Sequence, residues 1–265
     1  ELQPEESESF AIGAVYQNGD FFMTVDAYTI EVTDRLSQTD RFTITQDDVD
    51  DLQGKYPNPE LLLNSSLTYF ANDFDTTTQG LDIVGNYSMG LLGGDTKFSL
   101  AYNYNTTEVD SFDPASTSDF KVKRLEEGMP EHRATLTMAQ SWDSVSMFVR
   151  ANYFGEWFAT HADEPDVDSS YGWSETADAA VTFDAEVSYY LNDSITLSAG
   201  GNNILDQEAQ ELQEGGAKGV VSGVYYESGP YDYNGAFYYV KATYNFYLKL
   251  IRYNKNEACN CRLHC

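Results

Sequence analysis

Cysteine is almost absent from this sequence. The 265 residues contain three, Cys259, Cys261 and Cys265, all within the last seven positions. A body without cysteine excludes a small scaffold held together by disulfides. The terminal cluster lies beside His264 and offers ligands that zinc accepts, but a structural zinc site needs a paired half that the sequence does not supply. We therefore predict no metal site.

Basic residues are also scarce. The chain has 15 Lys and Arg against 43 Asp and Glu, which gives a formal net charge of −28 and a pI near 4.1. Such a surface repels a phosphate backbone, so we predict no nucleic-acid partner.

Long apolar runs and catalytic motifs are missing too. No run reaches the roughly 18 apolar residues that a transmembrane helix needs. The mean hydropathy of −0.46 looks soluble, although a membrane barrel meets lipid with only every second strand residue. The three histidines, His132, His161 and His264, lie far apart without a nucleophile motif nearby. The sequence thus predicts neither an enzyme nor a cofactor.

A strict alternation of apolar and polar residues is present instead. From residue 181 to 191 the odd positions are mainly apolar and the even positions mainly polar, and after Asn192-Asp193 the alternation resumes at Ile195. A period of two places one kind of residue on each face of a strand, and Asn-Asp favours a turn. The hairpin fits a soluble sandwich with its apolar face inward, or a membrane barrel with its apolar face towards lipid.

The same pattern predicts nine strands along the whole chain. Seven have approximate bounds, and the other two form the hairpin just described: 7–17, 20–35, 74–88, 95–109, 130–142, 144–158 and 235–246.

The connections between these strands alternate between short and long. Short turns follow the first, third, fifth and seventh strands, and the long connections are 36–73, 110–129, 159–178 and 207–234. One rim then carries tight turns and the other carries long loops, which is the plan of outer-membrane barrels. We therefore predict an all-β fold, an antiparallel up-and-down transmembrane β-barrel, present here as about nine strands of a larger barrel.

Four stretches resemble TonB-dependent outer-membrane receptors. LQPEESESFAIGAVY (2–16) resembles a segment that opens a barrel hairpin, and NDFDTTTQGLDIVGNY (72–87) is similar to a strand pattern of the family. GGNNILD (200–206) resembles the element in the penultimate strand, and FYYVKATYNF (237–246) resembles the final strand. The resemblance covers about residues 2–246 and identifies the chain as the C-terminal part of such a barrel.

The resemblance implies a transporter in the cell outer membrane. Receptors of this family take up scarce ligands such as iron–siderophore complexes or other metal chelates through a 22-stranded barrel that an N-terminal plug fills. The implied partners are outer-membrane lipid, the TonB energy-coupling complex acting through the plug, and the barrel-assembly machinery acting through the last strand. Because plug, TonB box and early strands are not seen, we expect a fragment of a receptor. The alternatives are a small self-contained pore or adhesin barrel, and an extracellular β-sandwich that binds a ligand.

The last 19 residues depart from this family pattern. Residues 247–265 follow the aromatic Phe246 at which such barrels normally end, and they carry four Lys and Arg against one Glu. We therefore divide the chain into a barrel portion, 1–246, and an atypical basic, cysteine-containing tail, 247–265, outside the barrel.

Candidate functional residues fall into two groups. Four charged residues share the polar phase of their strands and are predicted to face the lumen: Lys97, Arg150, Asp184 and Glu186. Aromatic residues on the long connections are predicted to contact a ligand by stacking: Tyr69, Phe70, Phe112, Trp157, Phe158, Tyr171, Trp173, Tyr225 and Tyr226. Some of these aromatics could instead pack the loops together. Acidic runs at 47–51 and 163–168 suit either calcium or a solvated loop surface.

Overall fold

A computed structural model describes residues 2–160, 174–212, 224–226 and 229–246. The tail at 247–265, with its three cysteines, lies outside these described residues, as do Tyr171 and Trp173. Within the described residues, none of the helices has the length and apolar character required to cross a bilayer.

Nine antiparallel strands form one continuous sheet. Every strand pairs with its neighbour along the chain in the order β1-β2-β5-β6-β7-β8-β11-β12-β13, so the sheet is an up-and-down meander with β1 and β13 at its edges. The strand bounds are β1 Glu6–Asn18, β2 Phe21–Gln38, β5 Phe70–Leu91, β6 Gly94–Phe112, β7 His132–Ser141, β8 Val145–Phe154, β11 Ala180–Tyr190, β12 Ile195–Asn202 and β13 Phe237–Tyr244.

The short turns between neighbouring strands form for different chemical reasons. Gly19 and Asp20 connect β1 to β2, and Gly19 has a φ of 57°, which glycine adopts without steric cost. Leu92 and Gly93 connect β5 to β6, and both have positive φ, as a type I′ hairpin turn requires. Leu92 is an unusual residue for this position, since its Cβ clashes in the left-handed region.

The turn at Asn192-Asp193 forms where the sequence predicts it, and it does so without the left-handed backbone that Asn and Asp tolerate. Neither residue has a positive φ. The Asn192 side chain instead accepts hydrogen bonds from the backbone N–H groups of Ser194 (2.9 Å) and Ile195 (3.0 Å). This is an Asx turn, in which the amide side chain replaces a backbone acceptor.

Burial across the sheet is inverted relative to a soluble protein. On β11, the polar-phase Ser188 exposes 8% of its surface, while its neighbour Val187 exposes 49%. On β12, Ser198 exposes 4% and Leu197 exposes 44%. A sandwich would bury the apolar phase between two sheets, so the sandwich alternative is wrong. The predicted antiparallel transmembrane β-barrel wall is confirmed, as an open nine-stranded sheet.

The long connections contain short elements that the sequence pattern did not predict. The first carries β3 (Phe42–Thr43), α1 (Gln46–Leu52), a 3-10 helix (Pro59–Leu62) and β4 (Ser66–Leu67), and the second carries α2 (Asp119–Glu127). The third carries β9 (Trp157–Thr160) and β10 (Ser174–Ala177), which pair as a separate two-stranded ribbon. The predicted sixth strand, 144–158, therefore ends early at Phe154, and Trp157 starts this loop ribbon.

Candidate functional site

The predicted lumen charges lie on the polar face of the sheet, and three of them form ion pairs. Arg150 on β8 lies 3.9 Å from Asp184 on β11, and Asp184 also accepts a hydrogen bond from Asn152 (3.0 Å). Lys241 on β13 lies 3.1 Å from Glu186 on β11. These bonds join neighbouring and next-neighbouring strands across the polar face. Their role in lining a lumen remains a prediction.

A glycine lets the last strand reach this network. The Tyr239 hydroxyl on β13 donates a 2.7 Å hydrogen bond to Glu186 and must cross β12 to do so. It crosses over Gly200, where a Cβ atom would lie 2.9 Å from the Tyr239 hydroxyl oxygen and 2.6 Å from the Ala185 carbonyl oxygen. The first glycine of the GGNN stretch, Gly200, therefore leaves room for a bond between β11 and β13.

The fourth predicted lumen charge, Lys97, has a different setting. It lies in the same cross-strand row as Glu186, with Ala139 and Phe148 between them. Among the described residues it makes no ion pair. Lys97 and Glu186 both line a cavity of about 420 Å³ on the polar face, close to the short-turn rim.

An apolar cluster assembles at the opposite rim, where the long connections meet. Trp157 and Ala159 on β9 and Ala177 on β10 pack with Leu212 and Tyr226 from the fourth connection, all at most 5% exposed. Tyr231 packs against this cluster, with its ring 5.9 Å from Trp157 in an edge-to-face arrangement.

Two cavities adjoin this cluster and share Trp157. The first, about 350 Å³, is the Tyr-rich cavity; its walls include Trp157, Tyr226, Tyr231, Asp232 and Tyr233. The second, about 390 Å³, is the Glu-rich cavity and is lined by residues that include Glu127, Glu131, His132, Glu156, Trp157 and Phe158. Both have the size and mixed aromatic and polar lining of small-molecule sites.

Two polar groups of the Tyr-rich cavity are held away from water. The indole Nε1 of Trp157 is buried and has no hydrogen-bond partner among the described residues. Burial also raises the pKa of Tyr231 above its ordinary value, although a hydrogen bond with Gln207 opposes the shift. The Tyr231 hydroxyl therefore stays protonated and donates to the Glu208 carbonyl oxygen at 3.1 Å.

The structure brings only some of the predicted ligand-binding aromatics together. Trp157 and Tyr226 share the buried cluster, and Tyr225 stacks on the cavity residue Tyr233 at 6.2 Å. Phe158 faces another partner, Phe120 of α2, at 5.9 Å. The others lie along the first and second connections: Tyr69 stacks on Phe42, while Phe70 and Phe112 lie at strand ends.

Tyr231 and Asp232 were missed as candidates. They lie in the run GPYDY, residues 229–233, whose Gly-Pro start and alternating tyrosines indicate a turn that presents aromatic rings. That run was the available sequence signal.

A buried carboxylate on β5 fastens the second long connection to the ends of β2 and β5 at this rim. Asp73 is 4% exposed and accepts hydrogen bonds from Ser116 (2.5 Å) and Ser37 (3.2 Å). The ammonium group of Lys121 on α2 lies 3.5 Å from Asp73 and donates to the Gln38 carbonyl oxygen at 2.6 Å. We call Asp73, Lys121, Ser37 and Ser116 the loop clasp.

The sheet and its two rims define the class of protein. An antiparallel meander with an apolar outer face, a polar inner face, short turns on one rim and long connections on the other is a wall of a transmembrane β-barrel. The sequence model of the family described as TonB dependent receptor-like, beta-barrel matches residues 1–204. The chain belongs to this family.

Solved structures of several transporters and receptors share the fold. The FrpB iron transporter from Neisseria meningitidis matches with a TM-score of 0.61 at 11% identity, over 92% of this chain and 32% of that one. A mutant of the ferric enterobactin receptor PfeA from Pseudomonas aeruginosa matches with a TM-score of 0.61 at 16% identity, over 92% and 32%. The copper transporter OprC matches with a TM-score of 0.58 at 15% identity, over 93% and 32%.

The matched structures are longer than this chain. The chain spans about a third of the length of the structures it matches. At such identities the likeness concerns the fold. No curated protein sequence matches the chain.

Proposed function

We propose that this chain forms part of the wall of an outer-membrane receptor that takes up a scarce ligand, such as an iron–siderophore complex, with energy from a TonB complex. The observation that carries the proposal is the inverted burial of the sheet in a chain that belongs to this receptor family. An apolar face of this extent is stable against lipid and unstable in water. Outer-membrane lipid is accordingly the first proposed partner.

The open edges of the sheet support a larger barrel. Strands β1 and β13 each have one edge without a pairing strand among the described residues. Unpaired backbone groups are costly in hydrocarbon, which supports a receptor in which further strands close the sheet. The last strand ends near the contacting rings of Tyr244 and Phe246, 4.5 Å apart, which suits the proposed recognition by the barrel-assembly machinery.

The polar face supports transport rather than catalysis. Four of its charges are engaged in the Arg150–Asp184 and Lys241–Glu186 pairs, and its cavity contains Lys97 and Glu186. A plug domain filling the lumen would contact this face and relay the action of the TonB complex. The ligand would bind at the long-loop rim, where the Tyr-rich and Glu-rich cavities lie.

Deleting the gene that encodes this chain tests the proposal. Uptake of radiolabelled ferric chelates by iron-starved cells should fall in the deletion strain and return with the intact gene. A protonophore should abolish the gene-dependent uptake, because TonB-dependent transport needs the proton-motive force. Gene-dependent uptake that resists the protonophore would instead support the passive pore, and unchanged uptake of every chelate would contradict the iron-chelate proposal.

A further inference from the structure

We infer that the ligand site at the long-loop rim accepts a neutral or cationic ligand and rejects polyanionic chelates. This inference rests on the proposed uptake function and specifies the charge of its substrate. It is carried by the charges that line the two cavities and by the composition of the four long connections.

The cavity linings contain four carboxylates, and one of them, Glu127, is paired with a nearby cation, Lys123 at 3.7 Å. Asp232 lines the Tyr-rich cavity, and Glu127, Glu131 and Glu156 line the Glu-rich cavity. Among the described residues lining these two cavities there is no lysine or arginine, and His132 is the only imidazole. The cavity on the polar face differs, since Lys97 accompanies its acidic residues. An anionic ligand at the long-loop rim would therefore meet like charge at contact distance.

The surrounding connections extend the same field. The described residues of the segments between the sheet strands at this rim are 39–69, 113–131, 155–160, 174–179, 203–212, 224–226 and 229–236, and they hold 18 Asp and Glu and five Lys and Arg. Two of these five cations are already neutralised, Lys121 by Asp73 and Lys123 by Glu127. A cleft lined by charges of one sign raises the local concentration of ligands of the opposite charge and lowers that of ligands of the same charge.

The Tyr-rich cavity also offers specific contacts to a neutral or cationic ligand. The indole N–H of Trp157 is buried without a partner among the described residues, and a buried donor without an acceptor is costly, which favours a ligand that brings an oxygen to it. The rings of Trp157, Tyr226, Tyr231 and Tyr233 line the cavity, and aromatic faces attract cations and stack on planar groups.

Charged quenchers of tryptophan fluorescence test the charge preference directly. The receptor would carry Trp142→Phe, Trp173→Phe and phenylalanine in place of every tryptophan outside this chain, so that Trp157 is its only tryptophan. Caesium, iodide and neutral acrylamide would be compared at equal ionic strength, each normalised to its quenching of a free tryptophan amide. We expect caesium to exceed iodide by about threefold or more at low salt, and the ratio to approach one near 1 M salt, where the Debye length is about 3 Å.

A matched pair of variants locates the source of the field. Asp232→Asn keeps the side-chain oxygen that accepts from the Asn234 backbone N–H at 2.9 Å, but removes the charge. It should lower the caesium-to-iodide ratio, while Asp143→Asn at the short-turn rim makes the same charge change and should not. Iodide quenching equal to or above that of caesium would overturn the inference, and so would a Trp157 that none of the three quenchers reaches.

Two ferric chelates then separate this inference from the proposed function. A neutral ferric trihydroxamate should bind at least about tenfold more tightly than a trianionic ferric tris-catecholate, which corresponds to about 1.4 kcal/mol. Asp232→Asn should lower the ratio of the affinity for the neutral chelate to the affinity for the trianionic chelate. Tighter binding of the trianion would overturn the inference and leave uptake intact. If neither chelate binds while caesium remains favoured, the iron-chelate proposal fails and the charge preference stands.

Discussion

The nine-stranded wall and the long connections come from one acidic, aromatic-rich sequence, yet they bury opposite kinds of residue. In the wall, Val187 and Leu197 are exposed while Ser188 and Ser198 are buried. In the connections, Ala159, Ala177 and Leu212 are at most 2% exposed. The difference indicates two solvents: lipid around the wall, and water around the loops, which must build an apolar core of their own.

The largest expected effect comes from placing a charge on each face of the wall in turn. Leu100 and Ala101 are adjacent on β6 and belong to the apolar and polar phases, respectively. Leu100→Arg should cost about 2–4 kcal/mol in a bilayer, whereas Ala101→Arg should cost less than about 1 kcal/mol. Denaturant unfolding of the receptor in lipid vesicles measures both. Equal costs would show that the two faces do not meet different solvents.

The next largest effect should be confined to the loops. Lys121→Met removes the cation of the loop clasp and leaves the Asp73 carboxylate buried, its side chain 1% exposed, with only hydroxyl donors. Breaking a buried pair costs roughly 3 kcal/mol, less here because the Lys121 side chain is 18% exposed. Hydrogen exchange should accelerate in α2 and in residues 36–40, while the strands β11 and β12 remain protected.

Two further variants serve as controls for the clasp. Lys123→Met, on the same helix, removes the exposed pair with Glu127 and should have little effect. Asp73→Asn combined with Lys121→Met should recover part of the loss, because no charge is then left buried. If the loss of unfolding free energy in the double variant equals the sum of the losses in the two single variants, Asp73 and Lys121 do not interact as a charge pair.

The sequence predicts the wall well because its signal is periodic. Each strand needs only an alternation of period two, and a one-residue slip would turn every side chain to the wrong solvent. The strand ends were less predictable. Strands β5 and β6 extend beyond 74–88 and 95–109, and β8 ends at Phe154, just before the last bond of its pairing with β7, in which the Gly155 N–H donates to the His132 carbonyl oxygen at 2.8 Å.

The cluster at the long-loop rim was much harder to predict. Trp157, Ala177, Leu212 and Tyr226 meet across two connections, and no local pattern links residues so far apart in sequence. Trp157 and Phe158, two of the predicted ligand contacts, are each 4% exposed and pack the loops together, which is the alternative that the sequence left open for some of these aromatics. Their role in ligand binding remains a prediction.

A smaller effect is expected at a turn of the wall. Leu92 has a φ of 54° and is 68% exposed, so its side chain adds strain without being packed. Leu92→Asn would create Asn-Gly, the sequence that type I′ turns favour, and should stabilise the barrel by about 1 kcal/mol. The bond from Trp142 Nε1 to the residue 92 carbonyl (3.0 Å) would be kept. Leu91→Asn, one residue earlier in β5, should give no gain in the same unfolding assay.

The smallest effect is expected at α1, where an exposed carboxylate caps a short helix. The Asp48 carboxylate accepts hydrogen bonds from the Thr45 hydroxyl (2.6 Å) and the Thr45 backbone N–H (2.8 Å), and these bonds lower the pKa of Asp48. A depressed pKa means that the stabilisation is complete above the unfolded-state value near 3.9 and is lost as pH falls through the folded-state value. An NMR titration of the carboxyl carbons should therefore give Asp48 a lower pKa in the unchanged protein than in a Thr45→Val variant. If Asp48 has the same pKa in both proteins, the hydrogen bonds between Thr45 and Asp48 do not hold the start of α1 in solution.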